Sequence, residues 1–119
     1  MMKSSNKKVI KKVMKKVLPK KQYTVYCIRT DDGTILYIGR TNDLKKRQYD
    51  HNRLLNNGYK KDLYNYLRLH FDNFKIELVS LYHYNKKIDS KRKEMQLILN
   101  SYFSNSHTLI QKIPNIQDF

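Results

Sequence analysis

Two short runs of alternating character, QYTVYCIRT (residues 22–30) and TILYIGR (residues 34–40), flank Asp31, Asp32 and Gly33. Both runs are rich in β-branched and aromatic residues, which fit a pleated, half-buried surface. Asp-Gly between them is a hairpin turn signal. The parity of that turn decides which side chains share a face. A two-residue Asp32-Gly33 turn sets Asp31 against Thr34, Ile28 against Tyr37 and Tyr26 against Gly39. Tyr26 and Tyr37 are then diagonal neighbours on one face. A three-residue loop with a bulge would flip the parity and separate them. Gly39, opposite Tyr26, leaves space beside that ring for a ligand or a backbone.

Downstream, Thr41, Asn42 and Asp43 are N-cap candidates for a helix running to about Leu55, and the glycine of Asn56–Gly58 stops it. KDLYNYLRLHF (residues 61–71) predicts a shorter helix with Leu63, Tyr66, Leu67 and His70 on one face. Phe74–Tyr82 reads as a third strand. Ser90–Phe103 reads as a third helix, capped by Asp89 or Ser90, with Glu94, Met95, Ile98 and Tyr102 facing inward. The order β-β-α-α-β-α describes an α+β fold, a small antiparallel three-stranded sheet flanked by three helices and preceded by a basic arm.

The chain has 119 residues and a net charge of +15, and nine lysines without any acid fall in residues 1–21. That divides it into a basic N-terminal arm, residues 1–21, and one domain, residues 22–119. Within the arm, KKVIKKVMKKVL carries apolar residues every fourth position until Pro19. It is too short and too β-branched to be a stable helix alone. It reads as a solvated arm, a phosphate-binding arm, a nuclear signal or a membrane-surface helix. Both parts are basic, so the partner is a polyanion. DNA or another nucleic acid comes first, with an anionic membrane surface or an acidic protein as the alternatives.

Cys27 is the single cysteine, which excludes an internal disulfide and a CxxC zinc site. A reducing intracellular compartment, cytoplasm or nucleus, fits that usage. There is no apolar run of bilayer length and no signal peptide, so no integral membrane association is expected. Nothing in the sequence marks a dimer surface, a zinc finger or a recognition helix.

Arg47 and His51 stand four apart and share one face of the first helix. That helix starts beside the end of the Tyr37 strand, so both side chains can reach the face with the tyrosines. An arginine fork suits a phosphate oxygen. Glu94 lies at the edge of an apolar helix face, and a carboxylate there suits Mg²⁺, a hard ion that keeps several waters. A tyrosine titrates about 3 units above neutrality. It serves as a base only if Arg47, Lys46 or a metal lowers its pKa, or if its proton passes to His51 as it accepts another. Taken singly these residues are ordinary: strand tyrosines, a solvated arginine, a half-buried histidine, a surface ion pair. His70, His83 and His107 read as structural or surface groups. Tyr49 and Tyr59 stack on bases or pack on the core.

The joint pattern of TVY, YIG with its tyrosine eleven residues after Tyr26, Arg47, His51 and a distant helical Glu94 resembles the GIY-YIG nuclease family, over about Tyr23 to Pro114. LYIGRTNDLKKRQYDHN is the most specific part. The resemblance implies a metal-dependent endonuclease that hydrolyses DNA phosphodiester bonds with one Mg²⁺ or Mn²⁺. It implies Tyr26 as general base or its relay, Tyr37 positioning water and phosphate, Arg47 stabilising the phosphorane-like charge, His51 assisting proton transfer and Glu94 holding the metal. Arg40, Lys45, Lys46, Lys60, Lys61 and Gln111 are candidate nucleic-acid contacts. Two departures stand out: Thr24 replaces the first-motif glycine, and Gln111, with Asn105 as another nearby amide, stands where the family tends to carry an asparagine. A non-catalytic nucleic-acid-binding module on the same fold is the alternative.

Overall fold

The computed structural model describes residues 22–104 and 109–111, so the basic arm, Asn105 and His107 lie outside the described residues. The alternating runs pair as an antiparallel hairpin of β1 (Tyr23–Arg29) and β2 (Ile35–Thr41). Its loop has three residues rather than two. Thr30 N–H donates to the Thr34 carbonyl at 2.9 Å, and Gly33 N–H donates to the Thr30 carbonyl at 2.9 Å. Gly33 has φ +87°, a left-handed conformation that favours glycine.

The odd loop does not separate the tyrosines, because a bulge cancels it. Ile28 pairs with Tyr37 but Arg29 pairs with Ile35, leaving Leu36 as the extra residue. Beyond the bulge, Tyr26 pairs with Gly39 as a two-residue turn would have it. The bulge also turns two successive side chains to one face: Leu36 joins the buried cluster of Tyr26 and Ile28, and Tyr37 packs against that cluster.

β3 (Val79–Tyr84) adds antiparallel to the other side of β1, giving the order β2-β1-β3. β1 is therefore central, and Val25, Tyr26, Cys27 and Ile28 are all fully buried. On one face lie α1 (Leu44–Asn56) and α2 (Asp62–His70), with Leu55, Leu63, Tyr64, Leu67 and Ile76 closing over Tyr26. On the other lies α3 (Lys87–Ser104), with Ile98 against Val25, Cys27 and Ile38. Each branched side chain buried this way contributes about 1.5–3 kcal/mol. Asp43 is the cap of α1, its carboxylate accepting from Lys46 N–H at 3.1 Å.

The third strand starts five residues later than its hydrophobic alternation predicts. Residues 74–78 do bury apolar side chains, with Ile76 inaccessible to solvent. Their backbone, however, bonds to side chains of α1 instead of to a strand. Asn52 Oδ1 accepts from Ile76 N–H at 2.8 Å, Asn52 Nδ2 donates to the Ile76 carbonyl at 2.9 Å, and Gln48 Oε1 accepts from Leu78 N–H at 2.9 Å.

The helices keep part of their expected faces, with Leu63 and Leu67 of one and Met95 and Ile98 of the other buried, and differ in the rest. In α2 the buried residues are Leu63, Tyr64 and Leu67, while Tyr66 is partly buried and His70 is exposed against its ring. In α3, which begins at Lys87, they are Ser90, Met95, Ile98 and Ser101, and Tyr102 is exposed. The chain returns at Leu109–Gln111 to the outer edge of β2. There Ile110 N–H donates to the Leu36 carbonyl at 2.7 Å, and the Gln111 amide brackets the backbone of Ile38, accepting its N–H at 2.7 Å and donating to its carbonyl at 2.9 Å. An edge that would offer unpaired groups is thereby covered. No helix among the described residues is long and apolar enough to cross a membrane.

Asn52→Ala strands both backbone groups of Ile76 in a dry environment, whereas Gln48→Ala strands one group of Leu78. Urea unfolding should show a loss of about 1–3 kcal/mol for the first and less for the second.

Candidate active site

Tyr26, at the centre of the sheet, is the residue around which the site is built. Its partner across the hairpin is Gly39. A Cβ there would lie 2.6 Å from Tyr26 Cζ and Oη and 2.9 Å from Tyr37 Cε1. The space beside the ring is thus filled by the two phenols themselves, whose centroids are 6.3 Å apart.

α1 brings Arg47 and His51 over this face, one turn apart. Arg47 Nε donates to Tyr26 Oη at 3.3 Å. His51 Nε2 lies 2.9 Å from the same oxygen, and its ring meets that of Tyr37 edge-on at 5.7 Å. The other ring nitrogen, Nδ1, lies 2.8 Å from the hydroxyl of Tyr64 on α2. His51 is 2% exposed and Tyr64 3% exposed, so Arg47, Tyr26, His51 and Tyr64 form a chain of polar groups that is buried at its His51–Tyr64 end and only partly buried at Arg47. Tyr64 is the member that the sequence pattern misses. Its only signal is its place two residues after the start of α2, beside Leu63, where α2 turns its first turn inward.

Burial dominates the protonation states. It pushes the Tyr26 phenol well above its ordinary range, with Tyr37 adding to the effect and Arg47 opposing it. Tyr37 and Tyr64 are also raised by burial. His51 is pushed down to about 4 by burial and by the cations Arg47 and Lys61, against the pull of Asp50. Both Tyr26 and His51 are therefore neutral near pH 7. A neutral imidazole carries one N–H, so of the two phenols at its nitrogens one donates and the other accepts.

Glu94 comes from the opposite layer, on α3. Its Oε1 lies 3.4 Å from Arg40 Nε of β2, with the two side chains 17% and 26% exposed. Burial raises its carboxyl against the pull of Arg40 and Lys91, and its charge in turn raises Tyr37. Among the described residues no group of three His, Cys, Asp or Glu side chains could hold a metal. One carboxylate fits only an ion that keeps most of its shell as water or substrate oxygen, which is the habit of Mg²⁺.

The other sequence-predicted residues divide. Lys60, Lys61 and Gln111 line an open recess with Tyr37. Lys45 lines a different groove, with Tyr49 and Lys75, and Lys46 is exposed on α1. Arg40 is engaged with Glu94, and the Gln111 amide with Ile38. Tyr49 is exposed, and Tyr59, half exposed, meets Tyr64 edge-on at 6.1 Å. His83 Nδ1 bonds Thr24 Oγ1 at 3.0 Å.

Two outcomes follow from this packing. Gly39→Ala should displace both phenols and destabilise the fold by about 1–3 kcal/mol in urea unfolding. The unfolded chain protonates His51 near 6.5, but the native protein resists until about 4. Stability from this group is complete above 6.5 and is lost as pH falls towards 4, at up to about 1.4 kcal/mol per pH unit. Urea midpoints measured between pH 7 and 4 should fall less steeply for His51→Gln.

Residues 22–105 match the GIY-YIG catalytic domain. No curated protein and no solved structure matches the chain. With most of its length under that match, and with both phenols of the paired motif on one face beside Arg47 and His51, the chain belongs to the GIY-YIG family of nucleases.

Proposed function

We propose that the protein is a divalent-metal-dependent endonuclease that hydrolyses DNA phosphodiester bonds, with Tyr26, Tyr37, Arg47, His51 and Glu94 as its working groups. The observation that carries this reading is the fully buried Tyr26 hydroxyl, held between a guanidinium and a neutral imidazole. A buried phenol needs one hydrogen bond as donor and accepts others, and an arginine can only donate. Such a hydroxyl can accept a proton from water on one side while releasing its own to His51 on the other.

That route is favoured over a standing phenolate, because burial outweighs Arg47 at Tyr26. His51 is a weak base while the site holds only Arg47 and Lys61 around it. An incoming phosphodiester adds a negative charge beside them, which raises the basicity of the imidazole when it is needed. Arg47 then stabilises charge on the phosphate, and Tyr37, beside the lysine-lined recess, positions water and phosphate. Glu94 would hold Mg²⁺ or Mn²⁺, with Arg40 yielding its ion pair. Such an ion supplies Lewis-acid help to the phosphate and the leaving oxygen. Lys60, Lys61, Lys46 and Arg40 extend the phosphate contacts, with Lys45 on the neighbouring groove and Gln111 bracing Tyr37's strand. One such site cuts one strand. The lone buried Cys27 accords with a reducing intracellular compartment.

A second reading, a nucleic-acid-binding module without hydrolysis, has one observation on its side. The Gln111 amide, which stands for the family asparagine, already has both its groups on the Ile38 backbone.

Incubation with supercoiled plasmid, with Mg²⁺ or with chelator, separates the two. The nuclease reading expects nicking that chelator stops and that Glu94→Ala lowers by on the order of 10²-fold or more, with binding retained. Salt-sensitive binding without any nicking would favour the module.

A further inference from the structure

We propose that Tyr64 is a positioning residue of this site: its hydroxyl oxygen accepts Nδ1–H of His51, so that the bare Nε2 faces the Tyr26 hydroxyl. The inference rests on the nuclease reading for its role in turnover, but its geometric content stands on the chain of contacts alone.

The chain runs Arg47 Nε to Tyr26 Oη at 3.3 Å, Tyr26 Oη to His51 Nε2 at 2.9 Å, and His51 Nδ1 to Tyr64 Oη at 2.8 Å. Two proton arrangements satisfy it. In one, Tyr26 donates to Nε2 and Nδ1–H donates to Tyr64. In the other, Tyr64 donates to Nδ1 and Nε2–H donates to Tyr26. The two ends of the chain differ in their further bonds. Arg47 is a donor only, and its Nε bonds Tyr26 and not Tyr64, so Tyr26 Oη already accepts one hydrogen bond and has its own proton left to donate. The bare imidazole nitrogen is the strongest neutral acceptor present, and it takes that proton. Tyr64, which has no such bond from Arg47, is left to accept.

Which imidazole nitrogen carries hydrogen is set by the bond that the other makes. Tyr64 thus takes the place that a carboxylate holds behind the histidine of a hydrolytic triad. In turnover the water O–H bond breaks as an O–H bond forms on Tyr26. The original Tyr26 O–H bond breaks as N–H forms at Nε2. The imidazolium so formed keeps its Nδ1–H on Tyr64, and hydroxide is left to attack phosphorus. A phenol is a weaker acceptor than a carboxylate, so it orients the ring without making His51 strongly basic. That agrees with a histidine that stays neutral until phosphate arrives.

Imidazole ¹⁵N NMR of the full chain, wild type and Tyr64→Phe, together with plasmid nicking in Mg²⁺, tests this. Phe keeps the ring in the buried cluster it shares with Leu63 and Leu67 and removes only the oxygen. Wild-type His51 should be the Nδ1–H tautomer. Tyr64→Phe should move it towards Nε2–H and lower kcat about ten- to a hundredfold with KM little changed, by analogy with the loss when a metal-bound imidazole loses its orienting partner. Wild-type His51 found as Nε2–H overturns the proposal without any variant. A shifted tautomer with unchanged kcat overturns Tyr64's part in turnover. A wild type that shows the Nδ1–H tautomer yet never nicks DNA sinks the nuclease reading instead.

Discussion

Gly39 and Tyr26 face each other across the hairpin at a distance that admits no methyl group between them. The site depends on that approach. A side chain at position 39 would drive the Tyr26 ring from the place where Arg47 and His51 reach its oxygen. It would also push Tyr37 out of the same face. The glycine therefore acts through what it lacks, and the space it leaves is taken by protein, not by ligand.

The hairpin keeps this pairing through two irregularities that cancel. A three-residue loop shifts the register by one, and the bulge at Leu36 shifts it back. The bulge has a second consequence, since Leu36 and Tyr37 now turn to one layer. Leu36 anchors the hairpin in the core while Tyr37 lies at the rim beside Lys60 and Lys61. Side-chain amides then replace missing ladder bonds around this frame. Asn52 and Gln48 hold residues 76 and 78, and Gln111 holds residue 38. Each fixes an edge of the site without adding a strand.

Charge in the site is governed by burial. Tyr26 and His51 are both held neutral at pH 7, and the ionised Arg47 bonds Tyr26 directly. An anion entering beside Arg47 meets a preset positive charge and changes the basicity of the imidazole by its arrival. Glu94 sits on the far layer with Arg40 as counter-ion, and its charge is felt at Tyr37.

The amino-acid order alone settled the element sequence, the hairpin, a helix start within Thr41–Asp43 and the four-residue spacing of Arg47 and His51, because these depend on local periodicity and turn chemistry. It also carried the family pattern, most specifically in Leu36 to Asn52. It left the loop length open and misplaced the start of β3 and one flank of the inward faces of α2 and α3. Those depend on which distant groups bond a given stretch of backbone, and hydrophobic spacing does not report that. Tyr64 could not be singled out from a helix that also carries Leu63, Tyr66, Leu67 and Leu69, since only the packing of α2 on α1 brings its hydroxyl to His51. The pairing of Arg40 with Glu94 and of Gln111 with Ile38 likewise arises from contacts between residues 54 and 73 positions apart. Local sequence specifies which groups are available; the closing of two helical layers over one small sheet specifies which of them touch.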